Sequence, residues 1–297
     1  MANSITGVND DIISQMILET FVAETTPLRA FSTNFSPDAA KPGDKISILR
    51  TIAADAALDK TTHAAYTVQD VDSDAVEISL GQPKYVSWGL DDTEVANSSV
   101  VNMEVYAQQK GIKLATAVLA DIWSIVLAAT YTGRIIGAPA AFDTDDVADI
   151  YTDCDTALMP TGMRSLILKE TYIGALKKDT HLSDASALGS TEVIREGSIG
   201  RLGGFDLYKS TLIPLNGENL VGMAAHPSGM AVAMRYLQPQ VGNTYSRAES
   251  LSDPGSGITL GLRDMYDNIT GRRIIVIECI FGKIAGIAAG IQRLTSA

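Results

Sequence analysis

Alternating apolar and polar residues mark two stretches in the first third of the chain. Residues 45–52, KISILRTI, place isoleucines on one face of an extended segment, and residues 75–80, AVEISL, likewise place their apolar residues on one face. The residues between the two stretches have no apolar period. The pattern predicts an extended hairpin over residues 41–86 with no core of its own. Such a projection needs another surface to pack against, and a neighbouring subunit is the obvious candidate.

Apolar residues at helical spacing flank this hairpin. Residues 10–24, DDIISQMILETFVAE, predict a helix whose first two residues are acidic, which suits a helix N-terminus. The polar residues 25–44 contain three prolines and predict an extended arm. Residues 92–130 predict one long helix with a buried stripe formed by Val101, Val105, Gln108, Ile112, Ala115, Leu119, Ile122 and Val126.

Short helices and strands alternate in the second half of the chain. Residues 144–160 predict a helix that ends at Pro160, and its expected buried face consists of Val147, Ile150, Tyr151, Cys154 and Leu158. Strands are predicted for MRSLILK, FDLYKS and NLVGMAA, and a helix for ETYIGALKK. His226, followed by a proline, is expected to begin a further short helix. A loop over residues 250–257 precedes the final strands, which start at Ile258.

The most apolar stretch, residues 274–291, is long enough for a membrane span but contains Glu278 and Lys283. Its first half is rich in β-branched residues and its second half carries three glycines. We therefore predict a buried strand followed by a turn or second strand, and no membrane segment. The N-terminus shows neither the basic nor the apolar region of a secretory signal.

Composition narrows the class of protein. The chain has 297 residues, 46% of them hydrophobic and 20% charged, which suits one large or two ordinary globular domains. The net charge of −12 argues against a surface that grips nucleic acid, because phosphate binding needs clustered Lys and Arg. Cys154 and Cys279 belong to no Cys or His cluster, so they predict free, buried thiols in a reducing compartment.

Glycines cluster in residues 197–210, GSIGRLGGFDLYKS. A phosphate-binding loop needs Lys-Ser/Thr after its last glycine, or a helix after the turn. Here Gly204 is followed by Phe205 and a strand-like alternation, so the stretch predicts a tight turn into a strand and not a nucleotide site. Arg201, at the tip of this turn, is a candidate contact to a neighbouring subunit.

No stretch of the sequence carries a strong metal or catalytic motif. The weak metal candidates are Asp70, Asp72 and Asp74 of DVDSD, which match the first three ligand positions of a calcium loop. The glycine and the bidentate glutamate of such a loop are replaced by Ala75 and Gly81. The histidines stand far apart in sequence, and no hydrolase or metalloprotease signature occurs.

Five sequence segments between residues 40 and 285 are informative through the order in which they occur. They are KPGDKISILRTI, MRSLILKETYIGAL, GSIGRLGGFDLYKSTLIP, MAAHPSGMAVAMR and LRDMYDNITGRRIIVIECIFG. In this order the chain resembles the major capsid proteins of tailed double-stranded DNA bacteriophages. The resemblance implies an α+β fold of the Hong Kong 97 type, with an N-terminal arm, an extended β-hairpin loop, a long spine helix in a peripheral domain and a compact α/β axial domain.

The resemblance also implies a division of the chain. The expected units are an N-terminal helix and arm (1–40), the extended hairpin loop (41–86), a peripheral domain with the long helix (87–140), an axial domain (141–260) and return strands of the peripheral domain (261–297). The expected assembly contacts on these units are Lys45, Arg50, Lys60, Glu77 and Arg201.

In function, the resemblance implies a structural protein and not an enzyme, with no catalytic residues and no cofactor. Hexamers and pentamers of the chain would assemble in the bacterial cytoplasm into the icosahedral head of a virion. The implied partners are copies of itself, a portal, decoration proteins and a separate scaffolding protein, with weak and non-specific contact to packaged DNA and no membrane contact. Two alternatives stay open: the shell of an encapsulin-like compartment, and a cytosolic α/β enzyme whose site the sequence does not reveal.

Overall fold

The computed structural model describes residues 10–51, 59–60, 66, 73–91, 100–139, 141–179, 200–239 and 245–296. The helices of these residues are α1 (Asp10–Glu24), α2 (Val100–Trp123), α3 (Thr144–Thr156) and α4 (Glu170–Leu176). The strands are β1 (Ser32–Ala40), β2 (Lys45–Thr51), β3 (Ser73–Ser79), β4 (Gln82–Asp91), β5 (Arg134–Ile136), β6 (Ser165–Leu168), β7 (Arg201–Leu202), β8 (Phe205–Lys209), β9 (Leu220–Ala225), β10 (Met230–Leu237), β11 (Arg247–Ser252), β12 (Thr259–Asp267), β13 (Arg272–Ala285) and β14 (Ile291–Thr295).

The first six-stranded sheet is organised around β13. This strand pairs antiparallel with β4, β10 and β12, while β11 extends the sheet beyond β12 and β1 lies parallel to β10. Alternate residues of β13, including Ile277 and Phe281, are buried in one cluster with Phe21 of α1 and Leu119 of α2. The two long helices therefore cover one face of this sheet.

The second sheet has the strand order β5-β14-β9-β6-β8-β7. On one face, Leu166 and Ala224 share a cluster with Val147 of α3 and Tyr172 of α4. On the other face, alternate residues such as Ile167 belong to the same large cluster as α1 and α2. The two sheets are thus joined by a continuous apolar core.

The long helix forms, but its buried face differs from the predicted stripe. Ala115, Leu119 and Ile122 are buried as predicted, whereas Gln108 and Ile112 are exposed. The buried residues in this half of α2 include Ala107 and Leu114 because α1 packs on that side. Residues 92–99 of the predicted helix lie outside the described residues, and the helix ends at Trp123 instead of continuing to 130.

The residues after α1 are extended as predicted, but they are not a separate arm. Ser32–Phe35 of β1 pair in parallel with Ala231–Met234 of β10. The guanidinium of Arg235 donates to the backbone oxygen of Asn34 at 2.6 Å and to its side-chain oxygen at 2.7 Å. The sheet thereby holds this segment against a strand about two hundred residues later in the chain.

The two sheets do not follow the domain ranges that were expected from the sequence. β10 and β11 fall within residues 141–260 but belong to the first sheet with β13. β14 falls within residues 261–297 but pairs with β5 and β9 of the second sheet. Strand pairing over long sequence separations produces this exchange, and no local pattern records it.

The apolar stretch at 274–291 is a strand and a turn, as predicted. It spans β13, a 3₁₀ turn at Ala288–Gly290 and the first residue of β14. Among the described residues, no helix has both the length and the apolar character that a membrane crossing needs.

Candidate assembly surfaces

The predicted hairpin is formed by β2 and β3. Its strands pair antiparallel from Lys45 opposite Ser79 to Thr51 opposite Ser73. The alternation predicted from the sequence separates two faces, because neighbouring residues of a strand point to opposite sides of a sheet. One face carries apolar side chains such as Ile78, and the other carries polar side chains.

The apolar face of the hairpin packs on its own subunit at the hairpin root. Ile78 and Leu80 are fully buried in a cluster with Ala233 of β10 and Ile280 of β13, and Ile46 packs against it. The expectation that the hairpin has no core of its own is therefore wrong at the root. The sequence hid this contact because β10 and β13 lie far away along the chain.

The polar face of the hairpin root points to solvent. Lys45 and Glu77 form an ion pair across the strands, with 2.5 Å between Nζ and Oε2. Both side chains are about half exposed, and the Glu77 carboxylate raises the pKa of the Lys45 amine. An exposed pair of this kind contributes little to subunit stability. It leaves two charges accessible to another chain, and the contact role of Lys45 and Glu77 stays a prediction.

The other expected hairpin contacts are placed only in part. The backbone of Arg50 pairs opposite Asp74 near the outer end of the β2–β3 ladder, but neither side chain is described. Lys60 is exposed, and its amine lies 3.5 Å from the centre of the Tyr66 ring. This cation–π contact holds an exposed aromatic ring and a charge together in the segment that connects β2 to β3.

The weak metal candidates are also described only in part. Asp70 and Asp72 lie outside the described residues, and Asp74 is described only as a backbone position in β3. No group of three or more His, Cys, Asp or Glu residues suited to a metal ion occurs in the described part of the chain.

The glycine-rich stretch forms the predicted turn between two strands. Gly203 and Gly204 connect β7 to β8 with φ of 54° and 87°, a backbone region that favours glycine. A Cβ atom at Gly204 would lie 2.8 Å from the Tyr151 ring, so the turn also packs closely on α3. Arg201 is exposed and its Nε lies 3.8 Å from Oδ1 of Asp206, which leaves its guanidinium available to a neighbour.

The chain is similar to known proteins in structure and not in sequence. No protein-family model matches the chain, and no curated protein matches it by sequence. The capsid of cyanophage P-SCSP1u superposes with a TM-score of 0.60 at 14% identity, covering 90% of this chain and 86% of that one. The mature capsid of bacteriophage PhiM1 gives a TM-score of 0.55 at 12% identity, with the same coverage of 90% and 86%. The chain has the fold of a phage major capsid protein.

The same capsid fold also matches a virus-like particle from Pyrococcus furiosus. The TM-score is 0.52 at 11% identity, with 96% of this chain and 98% of that one covered. The α+β architecture expected from the sequence, with few helices and large sheets, is confirmed by these matches.

Sequence reasoning missed one surface of this capsid fold, at the end of α3. Leu158, predicted to lie on the buried face of that helix, is 86% exposed, because α3 ends at Thr156 and not at Pro160. Leu158 and Met163 both adopt left-handed backbone, with φ of 58° and 53°. Left-handed backbone costs an L-residue roughly 1–2 kcal/mol. The Met-Pro-Thr-Gly run before Met163 was the available sign of a turn.

A buried arginine holds this loop in place. The guanidinium of Arg164 is fully buried and donates to the carbonyl oxygens of Met159 and Pro160, the latter at 2.8 Å. It also forms an ion pair with Asp155 at 2.7 Å and stacks 4.5 Å from the centre of the Tyr151 ring. A buried charge needs such partners, and here they fix the loop to α3.

Another buried network joins Tyr131, which precedes β5, to β14 and to the turn between β9 and β10. The Tyr131 hydroxyl donates to the backbone oxygen of Gly229 at 2.6 Å, and Nε of Arg293 donates to the backbone oxygen of Tyr131 at 2.6 Å. His226 caps a 3₁₀ turn at Pro227–Gly229, where its Nδ1 accepts the Ser228 N–H. The short helix that His226 was predicted to begin is this single 3₁₀ turn, after which the chain enters β10. Burial and the nearby positive charge of Arg164 lower the pKa of the His226 imidazole.

The two cysteines are free and buried, as predicted. Burial raises the pKa of each thiol to about 12. Cys154 lies on the inner face of α3 and Cys279 on the helix-covered face of β13, so both serve as small apolar core residues.

Proposed function

We propose that this chain is the structural subunit of an icosahedral phage head that encloses double-stranded DNA. The observation that carries the proposal is the capsid fold, matched over 90% of the chain with a TM-score of 0.60. The hairpin supports it, because a polar outer face with exposed charges stands beside an apolar face anchored on the subunit. The role is structural and involves no catalysis.

The units of the subunit keep the roles inferred from the sequence. We propose that residues 1–40 act as an N-terminal helix and an arm that joins the first sheet, and 41–86 as the extended loop. Residues 87–140 and 261–297 form the proposed peripheral domain except for β5 and β14, and 141–260 form the proposed axial domain except for β10 and β11. Lys45, Arg50, Lys60, Glu77 and Arg201 are the proposed contacts to neighbouring copies in hexamers and pentamers. A separate scaffolding protein, a portal and decoration proteins are the proposed further partners, with assembly in the bacterial cytoplasm.

The net charge of −12 is consistent with a container that does not bind its cargo tightly. Lys and Arg are outnumbered by Asp and Glu, so contact with packaged DNA is proposed to be weak and non-specific. Removing DNA from assembled particles should therefore leave the shell intact, since the subunits hold each other.

Expression of the full chain, alone or with its scaffold, tests the proposal directly. We expect particles of megadalton size by sedimentation velocity and closed shells by electron microscopy. A monodisperse monomer or dimer under every assembly condition contradicts the proposed function. Deleting residues 54–74 should leave a folded subunit that no longer assembles, because the root with Ile78 and Leu80 stays packed. Unfolding of that deletion variant would place the hairpin in the core of the subunit.

The match to the virus-like particle supports a second candidate, an encapsulin-like compartment that holds proteins. The contents of purified particles discriminate between the two functions. DNA-filled heads attached to a portal support the phage head, and a protein-filled shell without a portal supports the compartment.

A further inference from the structure

Two exposed apolar side chains, here called the apolar tip, stand on left-handed backbone just after α3. They are Leu158, 86% exposed, and Met163, 70% exposed. At two other left-handed positions the chain carries Asn216 and Asn219, a residue type whose short polar side chain tolerates this conformation. Leu and Met are unfavourable there for two reasons: the left-handed backbone is strained for these residues, and their apolar side chains are exposed to water. Strained backbone that presents apolar side chains to water indicates a surface covered by a partner.

The apolar tip is rigid before any partner arrives. The buried Arg164 guanidinium binds the backbone oxygens of Met159 and Pro160, the two residues that follow Leu158. Met159 itself is buried. Because the loop is fixed in place, little conformational entropy is lost when its two outward side chains are covered.

A groove at the opposite end of α3 offers a complementary surface. It lies between α4 and the segment before α3, has a volume of about 740 Å³ and is lined by Ala141, Phe142, Thr171, Gly174, Ala175 and Lys178. Its floor is mostly apolar. We call it the α4 groove.

The two surfaces cannot meet within one subunit. Asp143, at the N-terminus of α3, borders the α4 groove, and the apolar tip follows the C-terminus of α3. The helix has 13 residues, which separates its ends by about 20 Å at 1.5 Å per residue. Only a second copy can bring an apolar tip to this groove.

The charges beside the two surfaces are complementary. Asp149 and Asp153 are exposed on α3 on the approach to the apolar tip, and α3 contains no basic residue. Lys177 and Lys178 are exposed at the C-terminal end of α4, and neither forms an ion pair with another described residue. Opposite charges on two surfaces favour their approach and fix their register.

The carboxylates that border the groove do not cancel this positive charge. The Asp143 side chain accepts the backbone N–H groups of Asp145 and Asp146. The Asp179 side chain accepts the backbone N–H of Thr144 at 2.9 Å and also its hydroxyl. Both carboxylates are therefore occupied in capping α3, which leaves the lysines as the outward charges of the rim.

We propose that the apolar tip of one copy docks into the α4 groove of the next copy, with Asp153 facing Lys178. This inference rests on the proposed shell function and names one of its contacts. The contact joins two different surfaces, so it is head-to-tail, and repetition around an axis closes a ring. Such a ring is the form that a hexamer or pentamer of axial domains requires.

Two sets of full-chain variants test the contact. Leu158→Asn with Met163→Asn removes the apolar tip while suiting the left-handed backbone, and Ile269→Asn is the matched control because Ile269 is 95% exposed in another turn. We expect the tip variant to fold with unchanged thermal stability but to need at least about tenfold more protein to assemble, a difference of about 1.4 kcal/mol. The control should assemble like the original chain.

The charge pair gives a second readout. Asp153→Lys and Lys178→Glu should each weaken assembly, and the two substitutions together in one chain should restore it. Three outcomes overturn the inference: the tip variant assembles like the original chain, the Ile269 control loses as much assembly as the tip variant, or the double substitution fails to restore assembly. In each case, particles formed by the original chain still support the shell. Absence of particles from the original chain overturns the proposed function and the inference with it.

Discussion

A Cβ atom added to Gly282 of β13 would lie 2.4 Å from the backbone oxygen of Ser79 in β3. The same atom would lie 2.7 Å from a methyl carbon of Ile78. The hairpin root therefore rests directly on the backbone of the first sheet, and glycine is required at this crossing because no other residue leaves the space.

Gly282→Ala should lift the hairpin root from the sheet. Overpacking a tight contact against backbone costs about 1–3 kcal/mol, so we expect a lower free energy of unfolding of the subunit and a lower yield of particles. Denaturant unfolding and sedimentation measure the two effects. Gly81→Ala is the control, since a Cβ there meets nothing within 4 Å. Original stability and yield in Gly282→Ala would show that the hairpin root is not seated on β13.

Two arginines in the region of the second sheet, Arg164 and Arg201, should differ sharply in their contribution to stability. Arg164→Met removes a fully buried guanidinium that binds two carbonyl oxygens and Asp155, so we expect about 2–4 kcal/mol lower free energy of unfolding. Arg201→Ala removes an exposed side chain 3.8 Å from Asp206 and should change the free energy by less than about 0.5 kcal/mol. Denaturant unfolding of unassembled subunits measures both, and similar values for the two variants would contradict the assignment.

The stability of the subunit should fall below neutral pH through His226. Burial and Arg164 lower the pKa of this imidazole from its ordinary value of 6.5, so the unfolded chain takes up a proton before the folded chain does. The free energy of unfolding contributed by His226 is present above pH 6.5 and is lost as the pH falls, by at most about 1.4 kcal/mol per pH unit.

The matched variant for this pH effect is His226→Asn. Asparagine keeps a side-chain acceptor for the Ser228 N–H but does not titrate. The free energy of unfolding of each chain is measured from pH 7.5 to about 5. The stability of the original chain relative to His226→Asn should decrease as the pH falls. A difference that does not change with pH would contradict the role of the imidazole.

Both thiols should be inert in the folded protein. The raised pKa of about 12 at Cys154 and Cys279 leaves almost no thiolate near pH 8, and burial blocks access. A thiol reagent should label neither cysteine of the native chain and both after denaturation, as counted by intact mass. Rapid labelling of either native thiol would place it at the surface.

Local patterns were sufficient where neighbours in sequence decide the structure. The acidic start of α1, the alternation of β2 and β3 and the Gly203–Gly204 turn are each recorded in a few adjacent residues. The order of such phrases was also enough to recognise the capsid fold without any match by sequence.

The sequence failed where helices and strands far apart in the chain decide the packing. Ile112 was predicted to be buried and is exposed, because α1 settles on the other side of α2. The parallel pairing of β1 with β10 and the seat of the hairpin on Gly282 join residues about two hundred positions apart. The apolar tip was misread for a related reason: helical spacing continued to Leu158 after the helix itself had ended.

The position of β13 and β14 in the chain has a consequence for synthesis. β13 lies inside the first sheet and β14 lies between β5 and β9 of the second, and each of the two strands follows all of its pairing partners along the chain. Neither sheet can close until β13 and β14 have been synthesised, so the two sheets are completed together and not one after the other. A prematurely terminated chain lacks an interior strand in both sheets. Such a fragment cannot seat the hairpin on β13, so we expect incomplete copies to be kept out of the proposed shell.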